Sequence, residues 1–393
     1  MSGARVLDAQ PALVDRVRSR LAASGAGTSP AAVAAAVRAE AGGVASDLDV
    51  LAALRSLRQE FVGAGPLDEL LRDPRTTDVL VCAPDAVWVD RGTGLERSTV
   101  RFADEAAVRR LAQRLALAAG RRLDDASPFV DGWLPDVGVR LHAVLPPVAA
   151  DGTCLSLRVL RPAAHDLATL RTLGTVDSES EAVLRAVLAA RLAFLVSGGT
   201  GTGKTTILGA LLGAVDPRER IICVEDAEEL RPRHPHVVRL VSRPANIEGA
   251  GGVVLRDLVR QALRMRPDRL VVGEVRGAEV CDLLAALNTG HDGGAGTVHA
   301  NSAREVPARM EALAASGGLP RAALHSQLAA AVQVVLHMRR LRTGVRVLDV
   351  VGVLRPDHDV VVVRPVWVRG SGWTADRDAF GVLLAEREVR APW

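Results

Sequence analysis

The run Gly198-Gly199-Thr200-Gly201-Thr202-Gly203-Lys204-Thr205, followed by Thr206, fits the pattern G-x-x-x-x-G-K-[ST]. In such a loop the glycines let backbone N–H groups crowd phosphate oxygens, and the lysine reaches the β- and γ-phosphates. Lys204 is the only lysine in a chain whose Lys and Arg number 49 together. Drift towards arginine that spares one position points to a chemical demand there. An ammonium is a compact point charge, and a planar guanidinium fork does not replace it. Thr205 is placed to offer its hydroxyl to Mg²⁺, so ATP and Mg²⁺ are the expected ligands.

Two apolar runs end in carboxylates: Ile221-Ile-Cys-Val-Glu225-Asp226 and Leu270-Val-Val-Gly-Glu274. Acids at the C-terminal ends of neighbouring parallel strands face the crevice where phosphates lie. Glu274 would orient an attacking water or the metal's shell, with Glu225 and Asp226 assisting. Asp226 and Glu274 would reach the metal through water. The plainer reading is that these acids cap the helices that follow.

These residues need a scaffold. From about residue 173 to 393 apolar strands alternate with helical segments, which predicts a parallel sheet with crossover helices. The strand Leu192–Val196 runs into the phosphate loop, and a helix leaves it at Thr205. Strands follow at Ile221–Val224 and Leu270–Val272. Residues 61–172 read as a smaller α+β domain. Its strands are Asp78–Cys82, Ala86–Asp90, Val139–Val144 and Cys154–Val159, its helix is Ala106–Ala119, and a hairpin turn falls at Pro84-Asp85. A connector is expected from Arg161 to Gly174. Residues 1–60, rich in Ala and Arg at helical spacing, predict a helical N-terminal appendage.

Composition narrows the class. Hydrophobic residues make up 48% and charged residues 24%, the balance of a globular protein. No apolar run reaches the ~18–20 residues of a membrane span, and no signal-peptide core follows Met1. Cys82, Cys154, Cys223 and Cys281 form no CxxC pair, which argues against zinc and against a disulfide framework. A cytoplasmic protein with reduced thiols is expected. The net charge of +3 is slight and, with a pI near 9, lends only weak support to nucleic acid or a membrane surface as partner, while the scarcity of aromatic residues argues against base stacking, so nucleic acid is not expected. Arg256, Arg260 and Arg264, at i, i+4 and i+8, predict a solvated helix face or a subunit interface. Trp367, Trp373 and Trp393 read as packing residues.

Arg266-Pro-Asp-Arg-Leu-Val-Val-Gly-Glu274-Val-Arg276 resembles the Walker B segment of the type II/type IV secretion and pilus ATPase superfamily. Glu225-Asp-Ala-Glu-Glu-Leu230 resembles its Asp box, and Asn288 to Asn301, with His291 and His299, its His box. The stretch Arg239 to Arg266 is similar to the tight-adherence (Tad) pilus and conjugal-transfer-like branch. Leu134-Pro-Asp-Val-Gly-Val-Arg140 and Leu155-Ser-Leu-Arg158 resemble the family's N-terminal domain, with Trp133 where the family has arginine. Gly294-Ala-Gly296 replaces the His box's usual Ser-Leu-Thr-like middle. The resemblance spans about residues 60–355. It implies a RecA-like P-loop NTPase domain, a smaller PAS-like α+β N-terminal domain and a homo-hexamer. It further implies that Arg140 and Arg158 reach the γ-phosphate when the domains close, and that His299 and His291 sense the nucleotide. The expected role is a motor at the inner face of the cell membrane, held there by membrane-embedded platform proteins of a secretion, pilus-assembly or conjugal-transfer machine. A nucleic-acid translocase of the same fold and a non-hydrolysing scaffold are the alternatives.

Overall fold

Alternation of buried and open residues makes the strands of the first unit. In the computed structural model β1 (Asp78–Ala83) buries Val79 and Val81, and β2 (Ala86–Asp90) buries Val87 and Val89. Residues 63–134, 137–160, 165–243, 245 and 250–393 are described, with Arg20 and Ala39 singly. Most of the expected appendage over 1–60, Pro135-Asp136, Arg161 to Ala164 and Asn246 to Gly249 therefore lie outside the described residues.

The chain divides into two compact units after Leu160. In the first, β3 (Leu95–Arg97), β4 (Phe129–Leu134), β5 (Val139–Val144) and β6 (Cys154–Val159) complete an antiparallel sheet ordered β3-β2-β1-β6-β5-β4. α1 (Asp68–Arg72) is short and follows a 3₁₀ turn at Gly65–Leu67. α2 (Glu105–Ala118) is started by Asp104, whose side chain accepts from the Ala107 N–H at 2.7 Å. Val108, Leu111 and Leu115 of α2 share one core with Val79, Val81, Leu141 and Leu157. The opposite face of the sheet carries Asp78, Arg140 and Arg158.

The second unit holds the phosphate loop. Its central strand β7 (Phe194–Ser197) is buried throughout, as expected of a parallel strand covered on both faces. Around it lie β8 (Ile221–Glu225), β9 (Val237–Val241), β10 (Arg269–Val275), β11 (Ala295–Val298) and β12 (Val334–Arg340), all parallel neighbours. β13 (Arg346–Asp357), β14 (Val360–Val368) and β15 (Gly372–Trp373) then run antiparallel, giving the order β15-β14-β13-β12-β7-β11-β10-β8-β9. The parallel sheet read from the sequence is present, and β13 to β15 extend it with antiparallel strands that the sequence reading did not include. After β12 the chain turns back on itself through short loops, which leave no room for crossover helices.

Alternate strand residues serve two cores. Phe194, Val196 and Val271 pack with α3 (Leu167–Thr172), α4 (Ser178–Ala189), α5 (Lys204–Gly213) and α10 (Arg377–Ala385). Leu195, Leu270 and Val272 pack with α6 (Leu255–Ala262), α7 (Glu279–Leu287), α8 (Val306–Ser316) and α9 (Arg321–Ala331). Leu167 and Leu170, in the stretch read as a connector, are buried in this unit's core. Among the described residues no helix is long and apolar enough to cross a membrane. Trp367 is buried, while Trp393 is 43% exposed and meets Trp373 edge-on at 4.6 Å.

Candidate functional site

The phosphate loop leaves β7 through Gly198, where a Cβ would lie 2.5 Å from the Met338 carbonyl oxygen and 2.7 Å from Thr202 Oγ1. Only glycine fits there. Gly201 and Gly203 have φ of 71° and 91°, the left-handed region, and α5 begins immediately after with Lys204. Backbone N–H groups at that helix start, together with its dipole, favour phosphate. Thr202 Oγ1 donates to the Gly199 carbonyl at 2.9 Å, and Arg346 Nε on β13 donates to the Gly201 carbonyl at 2.9 Å. Arg346 carries no motif; it is brought to the loop only by the antiparallel extension.

Lys204 is buried. Its Nζ donates to the carbonyls of Gly198 and Gly199 at 3.1 and 2.8 Å and lies 3.5 Å from His299 Nδ1. Burial pushes the ammonium below its ordinary pKa, and Arg276 adds to this against the opposing pull of Glu274 and Glu229. His299 follows β11, and its Nε2 sits 2.7 Å from Glu274 Oε1 on β10. Arg276 donates to the other oxygen of Glu274. Since Lys204 can only donate, His299 accepts at Nδ1 and carries its proton on Nε2 towards Glu274. Burial, with Lys204 beside it, holds the imidazole below its usual pKa, so this neutral form is the one present near pH 7. Burial raises Glu274, but Arg276, His299 and Lys204 together outweigh it and keep the carboxylate ionised. Lys204, His299, Glu274 and Arg276 are therefore one connected chain of polar groups.

Glu225 ends β8 and is 4% exposed. It nests against Gly273, where a Cβ would come within 2.6 Å of Glu225 Cγ. Its Oε1 accepts from the Leu230 and Glu229 N–H groups at 3.0 and 3.3 Å, while Oε2 is buried without a hydrogen-bond partner. Burial pushes the carboxyl up to about 7 against those two backbone donors. Thr205 Oγ1 donates to Glu229 Oε2 at 3.3 Å. Glu229, to which the sequence motif assigns no role, stands beside Thr205, whereas Asp226 is exposed and accepts from Ser242 Oγ at 3.1 Å beyond the end of β9.

Mg²⁺ takes oxygen donors, commonly one or two carboxylates plus substrate phosphates. The Thr205 hydroxyl with Glu229 beside it, and the orphaned Glu225 oxygen nearby, fit that demand. Among the described residues no group of three or more His, Cys, Asp or Glu could hold a metal alone, so phosphate oxygens would have to complete the shell.

Other sequence candidates fall elsewhere. His291 lies before β11, at the end opposite His299, and its Nδ1 contacts the Ala286 carbonyl at 3.0 Å. Arg256 and Arg260 both bind Asp282 of α7, at 2.7 and 2.9 Å, while Arg264 is exposed on the 3₁₀ turn Leu263–Met265 that directly follows α6. In the first unit Arg140 forks onto Asp131 at 3.0 and 2.6 Å, and Arg158 Nε donates to Asp78 at 3.1 Å. The two arginines are directly opposite each other across β5 and β6, and Trp133 stands opposite Arg140 on β4. A cavity of 590 Å³ lined by Arg191, Asp216, Glu219 and Arg269 lies where β7, β8 and β10 begin, at the opposite end of the parallel strands from the phosphate loop.

A family model described as type II/IV secretion system protein matches residues 60–361. A putative conjugal transfer protein of Mycobacterium tuberculosis is 66% identical over 346 residues, 87% of this chain and 98% of the relative. The type IV secretion system protein PtlH of Bordetella pertussis is 34% identical over 250 residues, 58% of this chain and 73% of that one. In fold, the pilus retraction motor PilT, solved with bound ADP, is similar at a TM-score of 0.52 and 20% identity, covering 82% of this chain and 85% of its own. The second unit is accordingly RecA-like, and the chain belongs to the type II/IV secretion system protein family of secretion and conjugal-transfer ATPases.

Proposed function

We propose that this chain hydrolyses ATP as a hexameric motor at the inner face of the cell membrane, driving a secretion, pilus-assembly or conjugal-transfer machine through membrane-embedded partners. The observation that carries the reading is the continuous chain Lys204–His299–Glu274, which ties the phosphate loop to a strand-end carboxylate. In this reading the loop's N–H groups and Lys204 hold the β- and γ-phosphates. Lys204 exchanges its carbonyl partners for phosphate oxygens. Thr205, with Glu229 beside it, would hold Mg²⁺, which supplies charge neutralisation on the phosphates. Glu274 orients the attacking water, and His299 carries the change between Lys204 and Glu274. Glu225 assists from the neighbouring strand.

ATP turnover and nucleotide affinity of the purified chain test this. Lys204→Ala should lose nucleotide binding. Glu274→Gln should keep binding while turnover falls about 100-fold or more, because the amide preserves size but removes charge and basicity. Unchanged turnover in Lys204→Ala would end the enzyme reading, and stimulation by DNA or RNA would favour a translocase.

A further inference from the structure

Cys82 and Cys154 have no place in the nucleotide site, yet the sheet of the first unit sets them against each other. β1 and β6 are antiparallel neighbours with Asp78 opposite Arg158, Leu80 opposite Ser156 and Val81 opposite Leu155. The bonded register ends at that last pair; continued by one step it sets Cys82 across from Cys154, and the two are near enough for Cys82 to act electrostatically on the Cys154 thiol. Both side chains belong to the open face: Val79, Val81, Leu155 and Leu157 point into the core, so the residues alternating with them point outward. Contact across this face is already realised one end along, where Arg158 Nε reaches Asp78 Oδ1 at 3.1 Å. Cys82 is exposed and Cys154 half-buried.

Directly opposed residues in an antiparallel pair have Cα atoms about 4.5–5.5 Å apart, inside the ~4.4–6.8 Å that a disulfide spans. The pairing of β1 with β2 shifts register between Val81 and Ala83, so Cys82 sits at a local irregularity where the backbone can adjust. Burial raises the Cys154 thiol, and the nearness of Cys82, Glu105 and Asp151 raises it further. The Cys154 thiol is thus held in its protonated form, and Cys82 is the one open to solvent.

We propose that Cys82 and Cys154 are a reversible modification site, closing to a cross-strand disulfide when the chain meets a low-molecular-weight disulfide oxidant. The Cys82 thiolate attacks the oxidant's sulfur, forms a mixed disulfide and expels one small thiolate. Cys154 then loses its proton to solvent and attacks the Cys82 sulfur, expelling the second small thiolate. Two protein thiols are oxidised to one disulfide, and one small disulfide is reduced to two thiols. Exposed bonds of this kind are the readily reduced ones, which suits a reversible mark in a chain otherwise built without disulfides. The bond would join the halves of the sheet at their seam, since β1 and β6 are the neighbours that unite β3-β2-β1 with β6-β5-β4.

The test uses the reduced full chain and glutathione disulfide as probe, with thiols counted in denaturant and cross-links located by peptide mapping without reduction. Half of the four thiols should disappear, a peptide linking Cys82 to Cys154 should appear lighter by two hydrogens, and dithiothreitol should reverse both. Cys154→Ser should leave Cys82 as a stable glutathione adduct. Links that involve Cys281 or join two chains, persistent adducts without the internal link, or a Cys82 that stays unmodified in Cys154→Ser would overturn the proposal. Mapping on the native chain needs no variant to fold, and none of these outcomes depends on whether the chain hydrolyses ATP.

Discussion

His337 on β12 is buried against the start of the phosphate loop, with its Nδ1 2.9 Å from Ser197 Oγ. Burial holds its pKa below the ordinary 6.5, with Arg339 adding to this and Asp349 and Glu305 opposing. The folded chain therefore keeps His337 neutral at a pH where the unfolded chain has already taken up a proton. Above 6.5 both states are neutral and nothing is lost. As pH falls below 6.5, stability declines by up to about 1.4 kcal/mol per unit until the folded pKa is reached. His337→Gln removes this titration. The native chain's melting temperature should fall more steeply than the variant's between pH 7.5 and 5.5; parallel profiles would mean that water reaches the ring. Nothing local to His337 in the sequence announces this role. The residues that could be read at this scale were those inside motifs, Lys204 and Glu274 above all. Arg346 and His337 were invisible because they act from strands more than a hundred residues away.

At the scale of elements, β8 and β10 approach so closely that Gly273 is what admits the Glu225 side chain. Gly273→Ala should force Glu225 aside and cost about 1–3 kcal/mol, the usual range for overpacking. The companion Glu225→Ala should relieve that clash, so the double variant should be more stable than the two single losses predict when summed. Urea unfolding of all four chains measures the coupling; simple additivity would mean that the two strands accommodate the methyl elsewhere. Strands whose outer residues alternate cleanly could be read directly, as at Val139–Val144 and Cys154–Val159. Others could not. β4 contains Asp131 and Gly132, which break its apolar pattern, and β11 reads Ala-Gly-Thr-Val, small residues chosen for closeness rather than strand propensity. Gly296 shows why: a Cβ there would meet Val275 Cγ2 at 3.3 Å and the Val272 carbonyl oxygen at 3.4 Å. β13 and β14 are apolar enough to be strands, but their antiparallel return follows no βα rhythm.

At the scale of the whole molecule, the resemblance to the secretion and pilus ATPases implies a γ-phosphate role for Arg140 and Arg158 of the first unit. Arg140 and Arg158 are each held by a carboxylate, Asp131 and Asp78. If they reach the γ-phosphate, Arg140→Ala and Arg158→Ala should each lower turnover at least tenfold and leave ADP affinity within twofold, since ADP lacks the group they grip. Calorimetry and a turnover assay on the same preparations check this. A lowered melting temperature with normal turnover would assign both arginines to the sheet alone.

The placing of β7 also bears on the order in which the chain is made. Its hydrogen-bonded neighbours, β11 and β12, leave the ribosome roughly 100 and 140 residues after it, and Arg346, which holds the Gly201 carbonyl, comes later still. A growing chain that already contains every residue of the phosphate loop thus lacks both flanking strands. Because non-local pairing must wait for its partners, the loop takes shape late in synthesis. Ribosome-arrested chains of graded length, probed with a fluorescent ADP analogue, should show no binding when stopped before Ala295 and a sharp gain once β13 is free. Nucleotide retained by the shortest chains would mean that the loop and α5 suffice without their sheet.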